Sequence, residues 1–189
     1  ILYLMRVFAE KTDEAHPMSV KDLIAYLENF GIHAERKTIY DDIETLRVFG
    51  MDIMNRRERP SGFYLASREF EVAELKLLVD AVQSSRFLTT GKSRQLIQKL
   101  ESLTSIYQAK DLQRQVIVQN RVKNTNENIY YNIDEIHRAI SQNRQISFQY
   151  TEWTVSKERQ LKKGGARYQI SPWQMIWQDE NYYLIGIDE

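Results

Sequence analysis

Arg36, Lys37, Thr38 and Tyr40 bring two cations, a hydroxyl and an aromatic donor to one short stretch. Such groups can pair with phosphates and with base edges. Ile39, Ile43 and Leu46 recur at the i, i+4, i+7 spacing of a buried helical stripe. The four polar side chains lie off that stripe. The spacing therefore predicts a short helix with one buried face and a chemically rich first turn. A helix of this kind can enter the DNA major groove N-terminus first. Arg56, Arg57 and Arg59 form a second basic cluster a short way on. Exposed charge on an amphipathic helix is also ordinary solvation, so the surrounding elements must decide.

Those elements fall in a definite order. Ile1 to Lys11 reads as a helix with Ile1, Leu4, Met5 and Phe8 on one face. Pro17-Met18 breaks the chain. Ser19 fits an N-cap with Asp22 three residues on, in a near capping box. Val20, Leu23, Ile24 and Leu27 make the next buried face, and Gly31 ends that helix. The groove-facing helix follows and stops near Gly50. Met51 to Asn55 and Phe63 to Leu65 read as strands, with Pro60-Ser61-Gly62 as turn residues between them. Helix, helix, reading helix and basic hairpin make a winged helix-turn-helix. In that arrangement the arginine tip rests on a phosphate or in the minor groove.

Pro17 to Leu65 resembles the N-terminal domain of bacterial transcription regulators that couple a winged helix to a C-terminal WYL domain. The carrying residues are Arg36-Lys37-Thr38-Ile39-Tyr40, Asp42, Leu46, Gly50 and Ile53, with the lead-in Thr12 to Pro17. Asp41 departs from the pattern, which often has arginine there. The resemblance implies sequence-specific binding of double-stranded DNA.

Val72 to Phe87 reads as a strong helix with Leu75, Leu78, Val79 and Val82 inward. Thr89-Thr90-Gly91 is a turn, and Ser93 to Ile106 a second helix with Leu96, Leu100 and Leu103. From Tyr107 to Asn128 the pattern weakens, and Asn124 to Asn128 has a linker's composition. Asn132 then fits the cap of a further helix, with Ile133, Ile136 and Ile140 inward and Asn143 at its end. The period changes to two at Ile146, Phe148 and Tyr150. Tyr168 to Ser171, Gln174 to Trp177 and Tyr182 to Ile187 read as strands. Ile146 to Tyr150, Ser171-Pro172 and Tyr182-Tyr183-Leu184 resemble the start of a WYL domain, an Sm-like small β-barrel with a preceding helix. The last triplet stands in the place of the name-giving Trp-Tyr-Leu. The resemblance implies further strands beyond Glu189. The expected architecture is α+β: a winged helix-turn-helix over 1–68, a helical spacer and linker over 69–128, and part of a WYL barrel over 129–189.

The second candidate site lies in this C-terminal part. Lys157, Arg159, Lys162, Lys163 and Arg167 oppose only Glu158, and tyrosines and tryptophans surround them. Cations with aromatic faces suit a nucleotide or single-stranded nucleic acid, although alternate strand aromatics are more often core. Tyr183 continues an apolar row with Ile185 and Ile187 and is expected inside. Tyr182, beside the turn, is expected outside, where it would share a ligand surface with Tyr150, Arg167 and Ser171. The resemblance adds that WYL domains are ligand-sensing modules, several responding to nucleic-acid-like ligands.

Composition bounds the rest. The chain has 189 residues, 42% hydrophobic and 28% charged, with no cysteine. That excludes a disulfide framework and thiolate metal sites and fits a cytoplasmic protein. The apolar start is too short to span a bilayer, and no membrane partner is expected. It begins on Ile1 rather than methionine, and some residues are expected to precede it. Formal net charge is zero. Residues 1–68 hold ten Lys/Arg against eleven Asp/Glu, yet the cations gather at the two clusters named above. Asp134 and His137 share a helix face but have no third ligand at motif spacing. No phosphate loop and no nucleophile with its base is present, so neither an enzyme nor a cofactor is expected. A homodimer, paired through the helices from Val72 to Ile106 or through the C-terminal domain, is the usual route to operator specificity. The alternative is a protein-interaction adaptor built on the same two modules.

Overall fold

The computed structural model describes residues 1–112 and 123–188. The described residues form two compact units. One holds Ile1–Ser84 and the residues from Gly91 to Leu112, the other Ser85–Thr90 and the residues from Lys123 onward. The centre of the stretch expected to be weakly patterned, 113–122, lies outside the described residues.

The first unit opens with α1 (Leu2–Lys11), α2 (Val20–Glu28) and α3 (Arg36–Phe49), followed by β1 (Ile53–Arg56) and β2 (Gly62–Leu65). Ser19 and Asp22 close a full capping box at the start of α2, each side chain bonding the other's backbone N–H. Gly50 ends α3 in the left-handed region (φ 111°), and its N–H returns to the helix carbonyls. Leu4, Val7 and Phe8 of α1 meet Leu23 and Leu27 of α2 and Ile39, Ile43 and Leu46 of α3 in one buried cluster. Fully burying each such side chain is worth about 1.5–3 kcal/mol. The inward face of α1 differs from the expected one. Ile1 and Met5 are exposed, and Val7 takes their place, because α1 packs on α2, α3 and β2 through the Leu4-Val7-Phe8 stripe. β1 and β2 pair antiparallel with Ile53 opposite Leu65 and Asn55 opposite Phe63. Met18 adds a short bridge to Phe63 through two backbone hydrogen bonds.

Three helices complete this unit: α4 (Val72–Ser84), α5 (Thr90–Glu101) and α6 (Ile106–Leu112). The single helix expected from Ser93 to Ile106 is interrupted. Ser102 Oγ donates to the Lys99 carbonyl, and Ser105 Oγ accepts the Gln108 N–H. These hydroxyls end one helix and cap the next. Leu103 is consequently exposed. α4 stops three residues before Phe87. α6 packs on both α1 and α4.

The second unit contains α7 (Ile129–Ser141), β3 (Ile146–Gln149), β4 (Thr151–Trp153), β5 (Arg159–Leu161), a 3-10 turn at Lys162–Gly165, β6 (Arg167–Gln178) and β7 (Asn181–Asp188). α7 begins earlier than expected. Asn132 is therefore not its cap but lies in its first turn, donating its N–H to the Asn128 carbonyl. β3, β6 and β7 form an antiparallel sheet in that order, and β4 pairs with β5. Among the described residues these strands do not close a barrel. The two strands expected at 168–171 and 174–177 are one, with a bulge between Pro172 and Gln174. Asp179 and Glu180 both take positive φ and turn β6 into β7, the geometry of a two-residue hairpin loop.

The expected core row of β7 is also corrected. Tyr183 is 52% exposed, and Ile185 and Ile187 are exposed as well. Register explains it. Ile146 pairs with Ile170 and Phe148 with Tyr168, and Ile170 pairs with Asp188. Alternation from Asp188 puts Leu184 and Tyr182 on the same face as Ile170, and the Tyr183 row on the other; Tyr182 is exposed, as expected. Among the described residues no helix is long and apolar enough to cross a membrane.

Candidate nucleic-acid interface

The first turn of α3 presents Arg36, Lys37, Thr38 and Tyr40 to solvent, while Ile39 between them is fully buried. The helix thus sets exposed polar groups beside a buried anchor residue by residue. Tyr40 is fixed from below: its ring meets Phe63 of β2 edge-on at 6.0 Å. The hairpin is thereby packed against the same turn that carries the polar groups.

A cleft of about 560 Å³ opens between the start of α2, the start of α3 and the hairpin. Arg36 and Tyr40 line it from α3, and Arg56 and Arg57 from the hairpin. Lys21, Ser19 and Asn55 join them. Its lining residues include four cations and no carboxylate. In a chain of zero net charge, such a concentration is a local electrostatic footprint for an anion. Lys37, Thr38 and Arg59 are exposed and lie outside the cleft, Arg59 next to Pro60 in the hairpin turn. Arg56 is less available than its neighbours, because its Nη1 donates to the Glu14 carbonyl at 2.7 Å.

Lys21 and Asn55 were not singled out in the sequence. Lys21 follows the cap of a helix whose apolar stripe dominates its pattern. Only the fold brings it beside Arg36.

In the second unit, a cavity of about 1120 Å³ lies between α7 and the covered face of the sheet. Tyr150 and Tyr182 both line it, together with Lys162 and Tyr168. Lys162 Nζ stands 5.5 Å from the Tyr150 ring centre, and Lys163 Nζ 4.5 Å from that of Tyr168. Cations held against aromatic faces favour planar anionic ligands. The expected four-residue surface is not assembled. Arg167 and Ser171 do not line this cavity, because alternation sends them to the face opposite Tyr168 and Ile170. Arg167 instead donates to Ser147 Oγ at 2.9 Å and to the Ser147 carbonyl at 2.7 Å. Lys162 and Tyr168 occupy the places that Arg167 and Ser171 were expected to fill.

Tyr182 has a further role. Phe87 meets it edge-on at 5.3 Å and meets Trp177 at 5.6 Å. The Arg86 N–H donates to Glu180 at the hairpin turn at 2.7 Å. Phe87, expected at the end of the α4 helix, is thus part of the second unit, where its ring packs on Tyr182.

Among known proteins, no curated sequence matches this chain. Residues 131–189 match the WYL domain family. That span covers most of α7, the whole sheet and the cation–aromatic cavity, and a WYL domain therefore forms the C-terminal part of this chain.

Proposed function

We propose that this protein is a cytoplasmic transcription regulator that binds double-stranded DNA through a winged helix-turn-helix over 1–68 and senses a ligand through its WYL domain. The observation that carries the reading is the basic cleft between the start of α3 and the β1–β2 hairpin, which joins Arg36 and Tyr40 to Arg56, Arg57 and Lys21. A reading helix beside a basic hairpin is the geometry of a groove contact flanked by phosphate contacts. WYL domains occur in ligand-sensing transcription regulators, which supports pairing the two modules. Lys37, Thr38 and Tyr40 read bases in this account, and Arg36, Arg57 and Arg59 hold phosphates.

The ligand is a nucleotide or a single-stranded nucleic acid, received by Tyr150, Tyr168, Lys162 and Tyr182 in the cavity beneath α7. The protein acts as a homodimer on half-sites about 34–36 Å apart or a multiple of that spacing. It is a binding protein rather than an enzyme. Selection of bound fragments from genomic DNA tests the reading. One enriched motif with two-fold symmetry supports it, and an unenriched pool contradicts it. A second reading, a protein adaptor, draws on Val48 and Phe49. These are 90% and 76% exposed at the end of α3, where a regulator of DNA alone has no use for apolar surface. Retention of a protein partner by a chain that selects no DNA would favour it.

A further inference from the structure

We infer that the loop from Thr12 to His16 is a joint that locks the β1–β2 hairpin, Arg56 included, to the start of α6, so that a shift of α6 alters how the hairpin is presented. Asp13 is the centre of this joint and is 4% exposed. Its Oδ1 accepts the backbone N–H groups of Ala15 at 3.0 Å and His16 at 2.9 Å, and lies 2.7 Å from His16 Nδ1. Its Oδ2 accepts the Ser105 hydroxyl. Ser105 is fully buried and caps α6, its Oγ accepting the Gln108 N–H at 3.1 Å. The His16 ring stacks on Tyr107 of α6, with centres 3.7 Å apart and planes 7° from parallel. One carboxylate therefore holds the loop in shape and holds the helix to it.

The other side of the loop grips the hairpin. The Glu14 carbonyl accepts from Arg56 at the end of β1. Thr12 Oγ1 accepts the Leu65 N–H at the end of β2 at 3.1 Å, and the Thr12 carbonyl accepts from Arg68 at 2.7 Å. Arg56 lines the basic cleft and also a second cleft of about 390 Å³ between the loop and α6. Thr12, Asp13 and Ser105 are buried, so separating Thr12 from Leu65, or Asp13 from Ser105, leaves buried polar groups unpaired, while the Arg56 contact to Glu14 is exposed. The loop and its two neighbours accordingly move together. α6 is the last described helix before the WYL domain along the chain. A ligand event that displaces α6 reaches the arginine hairpin by this route. That consequence, unlike the joint itself, rests on the DNA-binding reading.

Amide hydrogen exchange on the whole chain tests the joint from both ends. Ser105→Ala is expected to speed exchange at Leu65 on the hairpin by about fivefold or more, and Ser105→Thr to restore it. Arg56→Ala, made at the hairpin end, is expected to speed exchange at Gln108 and Ala109 of α6, since coupling is reciprocal. Faster exchange confined to the substituted side in both variants overturns the joint. If Ser105→Ala does not fold, the Arg56→Ala experiment decides alone. A mixed-sequence duplex is the probe for the consequence: Ser105→Ala is expected to bind it about fivefold more weakly. Exchange coupling in a chain that binds no duplex would leave the joint standing and refute the DNA-binding reading.

Discussion

Gly62 shows how one residue ties the hairpin to the helices. Its φ is 151°, and a Cβ there would collide with the backbone carbonyl of Met18. That contact is the bridge joining Met18 to Phe63. Gly62→Ala is expected to cost about 1–3 kcal/mol, read as a lower urea midpoint, and an unchanged midpoint would contradict the packing described. Asp13 makes a second residue-level case. Burial alone would raise its carboxyl, but hydrogen bonds from Ser105 and His16, with the charge of His16, outweigh it and hold it below the ordinary value. A depressed carboxylate contributes stability above its unfolded pKa and loses it as pH falls through the folded one. Asp13→Asn is therefore expected to be less stable than the parent by about 1–3 kcal/mol at neutral pH. The gap should narrow as pH falls through and below the ordinary carboxylate range. Urea midpoints over that range check it, and a gap independent of pH would contradict it.

At the scale of elements, the capping box of α2 offers a clean test. Ser19→Ala is expected to cost about 1 kcal/mol, and Asp22→Ala in that background little more, because the two side chains cap reciprocally. Additive losses in thermal denaturation would contradict it. This box was legible because its two residues are local. The α3 stripe of Ile39, Ile43 and Leu46 was legible for the same reason. What failed to show needs tertiary partners. The inward face of α1 depends on which neighbours cover it, so Val7 displaced Met5. The covered face of β7 depends on where α7 packs, so Tyr183 came out exposed. A strand pattern fixes which residues share a face but not which face is buried. The ligand candidates split for that reason: Tyr150 and Tyr182 share a cavity with Lys162, while Arg167 bonds Ser147 on the opposite side. Arg36 and Tyr40 share a cleft with Arg56 and Arg57, while Lys37, Thr38 and Arg59 lie outside it, and Lys21 entered only through the fold.

For the whole molecule, charge placement matters more than charge total. Net charge is zero, so on the proposed DNA-binding reading attraction to arbitrary nucleic acid is weak, and affinity is carried by the first turn of α3, the hairpin and the cleft between them. The direct measurement is fluorescence anisotropy of a selected duplex and a mixed-sequence duplex over a range of salt. Lys37→Ala with Tyr40→Ala is expected to weaken the selected duplex by about 1–3 kcal/mol and to leave the mixed duplex little changed. Arg57→Ala is expected to weaken both duplexes alike and to lower the salt slope by about one. Unchanged affinity for the selected duplex after Lys37→Ala with Tyr40→Ala would contradict the claim that α3 reads DNA.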